Sequence, residues 1–469
     1  MLVIKNAGLR HLWIDCLCII QDSDGSRDWH REAAMMANIY ENASFTIVAT
    51  WCAGSEQSLF STVDEAYQPV SIDNGSRRGG ILRLWPEHPD LWADKEEQQW
   101  LNFPLLGRGW VLQEVVLSKR LLLFGKNEVY WICREASWCL CGLSNLVAAQ
   151  AGVIRPVEDL MDLPWTKIIT RFTSMDLTFQ TDRLPALGGI ASRYGTQHKL
   201  TYAAGLWKEN LMEELLWMSD GGFEGRLRPY PLVAPTWSWA STDGKIEFES
   251  SQGKIDGQQL SDGIEISIQT VIPFGSSIYG QLRSARLSLR ILTVRGQIFY
   301  GQDAFKACYQ CVEKEDEENE VDAVKSKERS EVKYDAEKSK FGKDLKIFQS
   351  DEVFEQSQYK FVVVIVEEEF ALVFTDYALY IQGPGHIESG SEVTVASWMV
   401  GPDSTGSIEV LNGLVLRRVG QDSESGICCY ERIGIVYQDE PDSWALDGST
   451  EKFWVNLLCR SELENLILV

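Results

Sequence analysis

Residues 12–50 read LWIDCLCIIQDSDGSRDWHREAAMMANIYENASFTIVAT, and this stretch sets the expectation for the fold. His11–Ile20 (HLWIDCLCII) is a nearly continuous apolar run, the pattern of a strand buried on both faces. Gln21–Asp28 is a polar turn containing Gly25. Asp28 is a candidate N-cap, and Trp29, Ala33, Met36 and Tyr40 then recur at helical spacing. Asn42 ends that helix, and Ser44–Ala49 (SFTIVA) reads as the next strand. Farther on, Pro104–Gly109 (PLLGRG) is a loop leading into a short helix, Trp110–Ser118. The strands Arg120–Phe124 (RLLLF) and Val129–Cys133 (VYWIC) follow. This alternation predicts an α/β domain over residues 1–145, built on a parallel sheet with crossover helices.

Past that domain the pattern changes twice. Residues 146–228 are expected to form a helical accessory region, because Trp165–Phe172 and Leu206–Trp217 carry apolar residues three and four apart. Residues 229–469 read as a β-rich, antiparallel region with strands at Ile264–Ile272, Leu287–Phe299, Phe361–Phe374 and Gly413–Val419. Within it, 313–346 is dense in Glu, Lys, Asp and Ser and reads as a solvated charged insertion.

The chain has 469 residues and a formal net charge of −24, from 68 acidic against 44 basic side chains. That balance offers no basic excess to displace phosphate counterions, so no nucleic-acid partner is expected. No segment has the roughly 18 apolar residues of a membrane span, so no membrane partner is expected either. Lys5, Arg10 and Asp15 interrupt any signal-peptide core. The eleven cysteines form no disulfide-like framework, which fits free thiols and a cytoplasmic location. Cys308 and Cys311 make a single CxxC without a second ligand pair, so they read as ordinary thiols and no metal is expected.

The common catalytic signatures GxSxG, P-loop, HExxH and GxGxxG are absent. Asp22, Asp24 and Asp28 do not make a calcium loop: Gly25 directly follows Asp24, and the twelfth residue from Asp22 is Ala33. Three constellations remain. Asp15 lies inside an apolar run, where a carboxylate is costly unless it accepts hydrogen bonds from a neighbouring loop or sits at a strand end facing a crevice. Gln21 and Asp22 would lie at that crevice, beyond the strand's C-terminus. In Arg108-Gly109-Trp110-Val111-Leu112-Gln113-Glu114, Trp110 and Glu114 are four apart and share a helix face, with a guanidinium just before the helix. Such a set can stack a flat ring, hold a ribose and neutralise a phosphate. The same residues also read as a buried Trp with Glu114 paired to Arg108. Third, Trp237 and Trp239 in APTWSWASTDG (Ala234–Gly244) alternate with small polar residues on one expected strand face and read as core.

Taken together, these segments resemble the fungal heterokaryon-incompatibility (HET) domain family. LWIDCLCIIQDSDGSRDW is similar to its WID-x-LCI-x-QD block, and EAAMMANIYENASFTIVA to its E-x-x-x-M-x-x-IY-x-x-A block. PLLGRGWVLQEVVLSKRLLLF is similar to its RGW-x-LQE-x-x-LS-x-R block. Downstream, DRLPALGGIA (Asp182–Ala191), YAAGLW (Tyr202–Trp207), APTWSWAS and the late GLVL and YERIGI segments resemble the accessory region of the same proteins. The resemblance implies non-self recognition ending in programmed cell death, with self-association and protein partners from an incompatibility locus. These proteins are in turn similar to the Toll/interleukin-1 receptor (TIR) domain, a flavodoxin-like parallel sheet. Some TIR domains cleave NAD+ through the Glu of a W-C-x-x-E motif, and Trp110 and Glu114 have that spacing with Val111 in place of the Cys. The implied roles are a catalytic Glu114, with Asp15, Gln21, Arg108 and Trp110 holding the dinucleotide as substrate; no resident cofactor is implied. The family's opening Y-x-ALSY-x-WG block has no counterpart before Gly8, so the sheet is expected to lack its first strand. Two further readings follow, a non-catalytic self-association module and an inactive truncated paralogue.

Overall fold

A computed structural model describes residues 2–20, 27–68, 70–73, 81–84, 103–140, 158–219, 226–248, 263–300, 303, 362–366, 369–376, 379, 386–397, 413–436 and 462–469. The chain divides into two compact units, 1–202 with 273–282, and 203–272 with 283–469.

In the first unit the helices are α1 (Leu2–Asn6), α2 (Asp15–Cys18), α3 (Arg27–Asn42), α4 (Gly109–Leu117), α5 (Glu158–Met161), α6 (Trp165–Thr173) and α7 (Arg183–His198). Its strands are β1 (Thr46–Val48), β2 (Val70–Asp73), β3 (Ile81–Leu84), β4 (Arg120–Phe124), β5 (Val129–Cys133) and β6 (Ser137–Cys139). The main sheet runs β1-β4-β5-β6, while β2 and β3 form a separate hairpin. β1 and β4 are parallel, with Ile47 opposite Leu122, because α4 lies between them in sequence and supplies the crossover. Val111 and Val115 of α4 join Val48, Leu106, Leu121, Leu123 and Ile132 in one core cluster. Each such side chain contributes roughly 1.5–3 kcal/mol by leaving water. α4 also packs on α3 and α7, so almost its whole surface is covered.

Two expectations are corrected here. β4 and β5 pair antiparallel, Arg120 opposite Cys133, rather than continuing a parallel sheet. The turn between them is too short for a crossover, which needs a dozen or more residues, and Gly125 N–H closes it on the Glu128 carbonyl at 2.9 Å. The sheet is therefore mixed. His11–Ile20, expected as a doubly buried strand, holds the one-turn helix α2 instead. Leu12, Ile14, Leu17 and Ile20 are exposed, Leu17 at 77%. The backbone satisfies itself locally: Ile14 C=O accepts from Leu17 and Cys18 N–H, and Asp15 C=O from Ile19 N–H. Asp28, the candidate cap, lies inside α3 and accepts the Ile20 N–H at 2.9 Å, tying this segment to the helix. An apolar run alone does not distinguish strand from helix.

In the second unit, β8 (Leu206–Trp207), the single turn α8 (Leu211–Glu214) and β9 (Trp217–Ser219) replace the helix expected at Leu206–Trp217; β7 (Tyr202–Ala203) spans the division. The remaining strands are β10 (Ile246–Phe248), β11 (Glu265–Pro273), β12 (Leu282–Tyr300), β13 (Val362–Val366), β14 (Glu369–Thr375), β15 (Ser391–Ser397), β16 (Gly413–Gln421), β17 (Cys428–Val436) and β18 (Glu462–Leu468). The large sheet runs β11-β12-β13-β14-β17-β16-β15, and β15 pairs again with β12. From β12 round to β15 the ladder thus closes into a ring, and β11 lies outside it, paired to β12 alone. Ile298, Val364, Val395, Val415 and Ile433 are among the side chains of one buried cluster in it. The β-rich expectation holds: the ladders of β12 with β13, β15 and β18, of β14 with β13 and β17, and of β16 with β15 and β17 are antiparallel, and β17 meets β18 in a two-residue parallel contact. Trp237 and Trp239 are fully buried as expected, but Trp239 opens a 3₁₀ turn (Trp239–Ser241) and Trp237 lies in the turn just before it, rather than on a strand. Trp239 Nε1 donates to Gly205 O, and the Trp237 backbone carbonyl accepts from Trp217 Nε1, both at 3.0 Å, while the Trp237 indole N–H is buried without an acceptor among the described residues. The charged insertion 313–346 and the Cys308–Cys311 pair lie outside the described residues. Among the described residues, no helix is long and apolar enough to cross a membrane.

Candidate functional site

The edge of β1, the inner face of α3, the first turns of α4 and the segment 9–15 surround a cavity of about 770 Å³ in the first unit. That volume lies in the usual range for small-molecule sites, roughly 300–1,000 Å³. Of the five residues singled out from the sequence, Asp15, Arg108, Trp110 and Glu114 all line it. The fifth, Gln21, lies outside the described residues.

α4 carries the central group. Its start is fixed by a pair of backbone bonds, Gly109 N–H to Asp176 O and Asp176 N–H to Gly107 O, both 2.8 Å. Glycine is needed at 109 for close approach rather than for an unusual dihedral angle. A Cβ there would sit 2.7 Å from Leu177 Cδ2 and 3.3 Å from Phe172. From that fixed start Glu114 reaches the cavity wall, where Tyr40 of α3 lines the same volume and acts on its carboxyl as a donor. Burial pushes Glu114 up from an ordinary 4.5 to about 7. The Tyr40 bond opposes that rise, the charge of Asp15 adds to it, and the charge of Arg108 opposes it more weakly than Tyr40 does. At neutral pH the group is therefore poised between its acid and base forms.

The other walls are aromatic. Trp13 meets Tyr40 edge-on at 5.6 Å, and Trp29 meets Trp110 edge-on at 6.2 Å. Trp110 is half-buried, and its indole N–H donates to Asp182 Oδ2 at 3.0 Å, so the ring's orientation is set by the start of α7. Burial raises Asp182, while that bond and one from Thr181 oppose the rise. Arg108 is exposed at the rim. Asp15 is exposed too and escapes the penalty expected of a carboxylate in a buried strand; its Oδ1 accepts the Cys16 N–H at 2.7 Å, within its own helical turn. The sequence reading missed Tyr40, which ends an apolar stripe on α3 and so looks like core. Its one signal is a polar tip on the last residue of that stripe.

α3 and α4 are held in register by α7. Gln113 Oε1 accepts the Gly189 N–H at 2.6 Å, and Arg193 pairs with Glu41 and bonds Asn38 at 2.9 Å. A Cβ on Gly189 would collide with the Gln113 side chain and lie 2.6 Å from Ala37 Cβ.

No curated protein and no solved structure matches the chain. Residues 1–114, which hold every residue lining the cavity, match the family model described as Heterokaryon incompatibility protein (HET). Over its first 114 residues the chain is thus similar to the HET domain.

Proposed function

We propose that this protein acts in heterokaryon incompatibility, the family-level function that its likeness to the HET domain supports, and that the first unit cleaves the nicotinamide–ribose bond of NAD+. In this reading the protein is cytoplasmic and its output is programmed cell death after non-self recognition. The observation that carries the enzymatic part is Glu114: a carboxyl with its pKa at about 7, on a cavity wall shared with Trp110 and Arg108. Trp110 offers a face for the nicotinamide or adenine ring, Arg108 offers charge to the diphosphate, and Asp15 lies on the same wall. The ionised Glu114 stabilises positive charge at the anomeric carbon as the bond breaks. The bond's electron pair leaves with neutral nicotinamide, the anomeric carbon takes the oxygen of water, and a water proton is released. Incubation with NAD+ tests this: nicotinamide should accumulate with the native chain and fall to background with Glu114→Gln. Equal, background-level release from both folded proteins would overturn it.

A second reading is a non-catalytic self-association module. The exposed side chains of Leu12, Ile14, Leu17 and Ile20 favour it, because a run of apolar groups open to water is the usual mark of an interaction surface. Light scattering of the native chain and Leu17→Lys would separate the two readings. Assembly lost in the variant, with no nicotinamide released by either protein, would support the second.

A further inference from the structure

We propose that Tyr40 is the positioning residue of this site: its hydroxyl donates to the Glu114 carboxylate and holds it in its charged form at the cavity wall. The inference rests on the reading of Glu114 given above and adds to it a residue from a different helix. Tyr40 lies in the last turn of α3, which packs on α4, so the phenol and the carboxyl reach one cavity wall from two separate elements. Trp13 fixes the plane of the Tyr40 ring edge-on, 79° between planes, from a third segment. Such three-way fixation holds a catalytic group to the tolerance that chemistry needs.

The chemistry of the pair is one-directional. Burial, then the charge and hydrogen bond of Glu114, raise the Tyr40 phenol far above its ordinary 10.0, so it remains an O–H donor throughout the working range. A phenol has one proton to give, and a carboxylate has room for further donors or a ligand beyond it. The charged groups facing Glu114 are Asp15 from α2 and Arg108 from the segment before α4. Asp15 disfavours the ionised form, and of the two groups that favour it Tyr40 acts more strongly than Arg108. Arg10 and His11 also line the cavity. Without the hydroxyl, a solvent-exposed guanidinium would be left to hold a carboxylate that burial and Asp15 both push toward protonation.

Tyr40→Phe keeps the ring against Trp13 and removes only the donor. Two readouts follow it: carbon-13 NMR titration of Glu-carboxyl-labelled protein, with Glu114 assigned by its loss in Glu114→Gln, and the pH profile of nicotinamide release. In the native chain, release should rise with pH through about 7, as Glu114 ionises. In Tyr40→Phe both the Glu114 midpoint and that rising limb should move up by about one unit, so release at pH 7 falls roughly five- to tenfold while the alkaline plateau stays within about twofold. 3-Fluorotyrosine at position 40, a stronger donor, should move both downward, and it carries the test should Tyr40→Phe fold poorly. A lower plateau or melting temperature with an unmoved midpoint would reduce Tyr40 to a packing role and overturn the proposal. A midpoint that moves as expected in a protein releasing no nicotinamide overturns ribosyl cleavage and leaves Tyr40 in place. Release with an unmoved midpoint and limb does the reverse.

Discussion

Half-buried Glu114 in the first unit and fully buried Glu214 in the second both have carboxyls raised well above the ordinary 4.5, to about 7 and about 8. Their surroundings are opposite. Glu214 is 2% exposed, and its two oxygens are taken by its own neighbourhood. Oε2 accepts the Trp207 N–H at 2.6 Å, and Oε1 accepts from Asn210 Nδ2 at 3.2 Å. Burial is the first cause of its rise, and the charges of Glu213 and Glu209 add to it. It is a clamp on the turn that holds α8. Glu114 instead meets a phenol more than seventy residues away in sequence, and it faces open volume. A raised pKa therefore reports burial; a long-range partner and a cavity are what turn a buried acid into a candidate site.

The contrast can be broken in four ways, taken here from the largest effect to the smallest. Glu114→Gln should lower nicotinamide release at least about a hundredfold, with a denaturation midpoint close to native; a loss of less than about tenfold would place Glu114 beside its counterpart as a structural acid. Glu214→Ala should cost about 2–3 kcal/mol in urea unfolding, because it removes two hydrogen bonds, the buried one from the Trp207 N–H and the part-buried one from Asn210 Nδ2. An unchanged midpoint would show that the clamp carries nothing.

The third test uses pH. Glu214 has a folded pKa of about 8 against an ordinary 4.5, so between those values the folded chain holds a proton that the unfolded chain has lost. Stability from this group is therefore full below about 4.5 and falls as pH rises toward 8. Glu214→Gln stays neutral throughout, so its stability relative to the native chain should improve by about 2 kcal/mol between pH 6 and 8. A flat difference across that range would contradict the burial argument. Last, Trp110→Phe gives up the bond to Asp182 and part of the ring surface that meets Trp29, and should cost about 1 kcal/mol of stability and a few-fold in release, read by the same two assays.

How much of this could be read from the sequence depended on the distance over which each residue finds its partner. The strands β4 and β5, the helix α6 and the strands β11, β12 and β16 follow from patterns a few residues long, and their positions were legible; Phe361–Phe374 read as one strand where β13 and β14 pair, and β15, β17 and β18 were not placed. The direction of β5 was legible too, in the short turn at Gly125–Glu128, but the strand–helix rhythm around it pointed to a parallel sheet. His11–Ile20 misled because an apolar run has no period of its own, and only the tertiary environment decides between strand and turn. In the site, Glu114 and Trp110 were legible because they share a helix face. Tyr40, Asp176 and Asp182 were not, since each contributes by meeting a residue on another element.

The paired bonds between Asp176 and residues 107 and 109 bear on how this domain can be moved between proteins. The family match stops at Glu114, in the middle of α4, yet the anchors of that helix lie beyond it at Asp176, Leu177, Asp182 and Gly189. A chimera spliced at the edge of the match would inherit the cavity-lining side chains without the framework that aims them. Exchange between relatives should preserve function only when the graft extends through α7, which makes the inherited unit longer than the recognisable one.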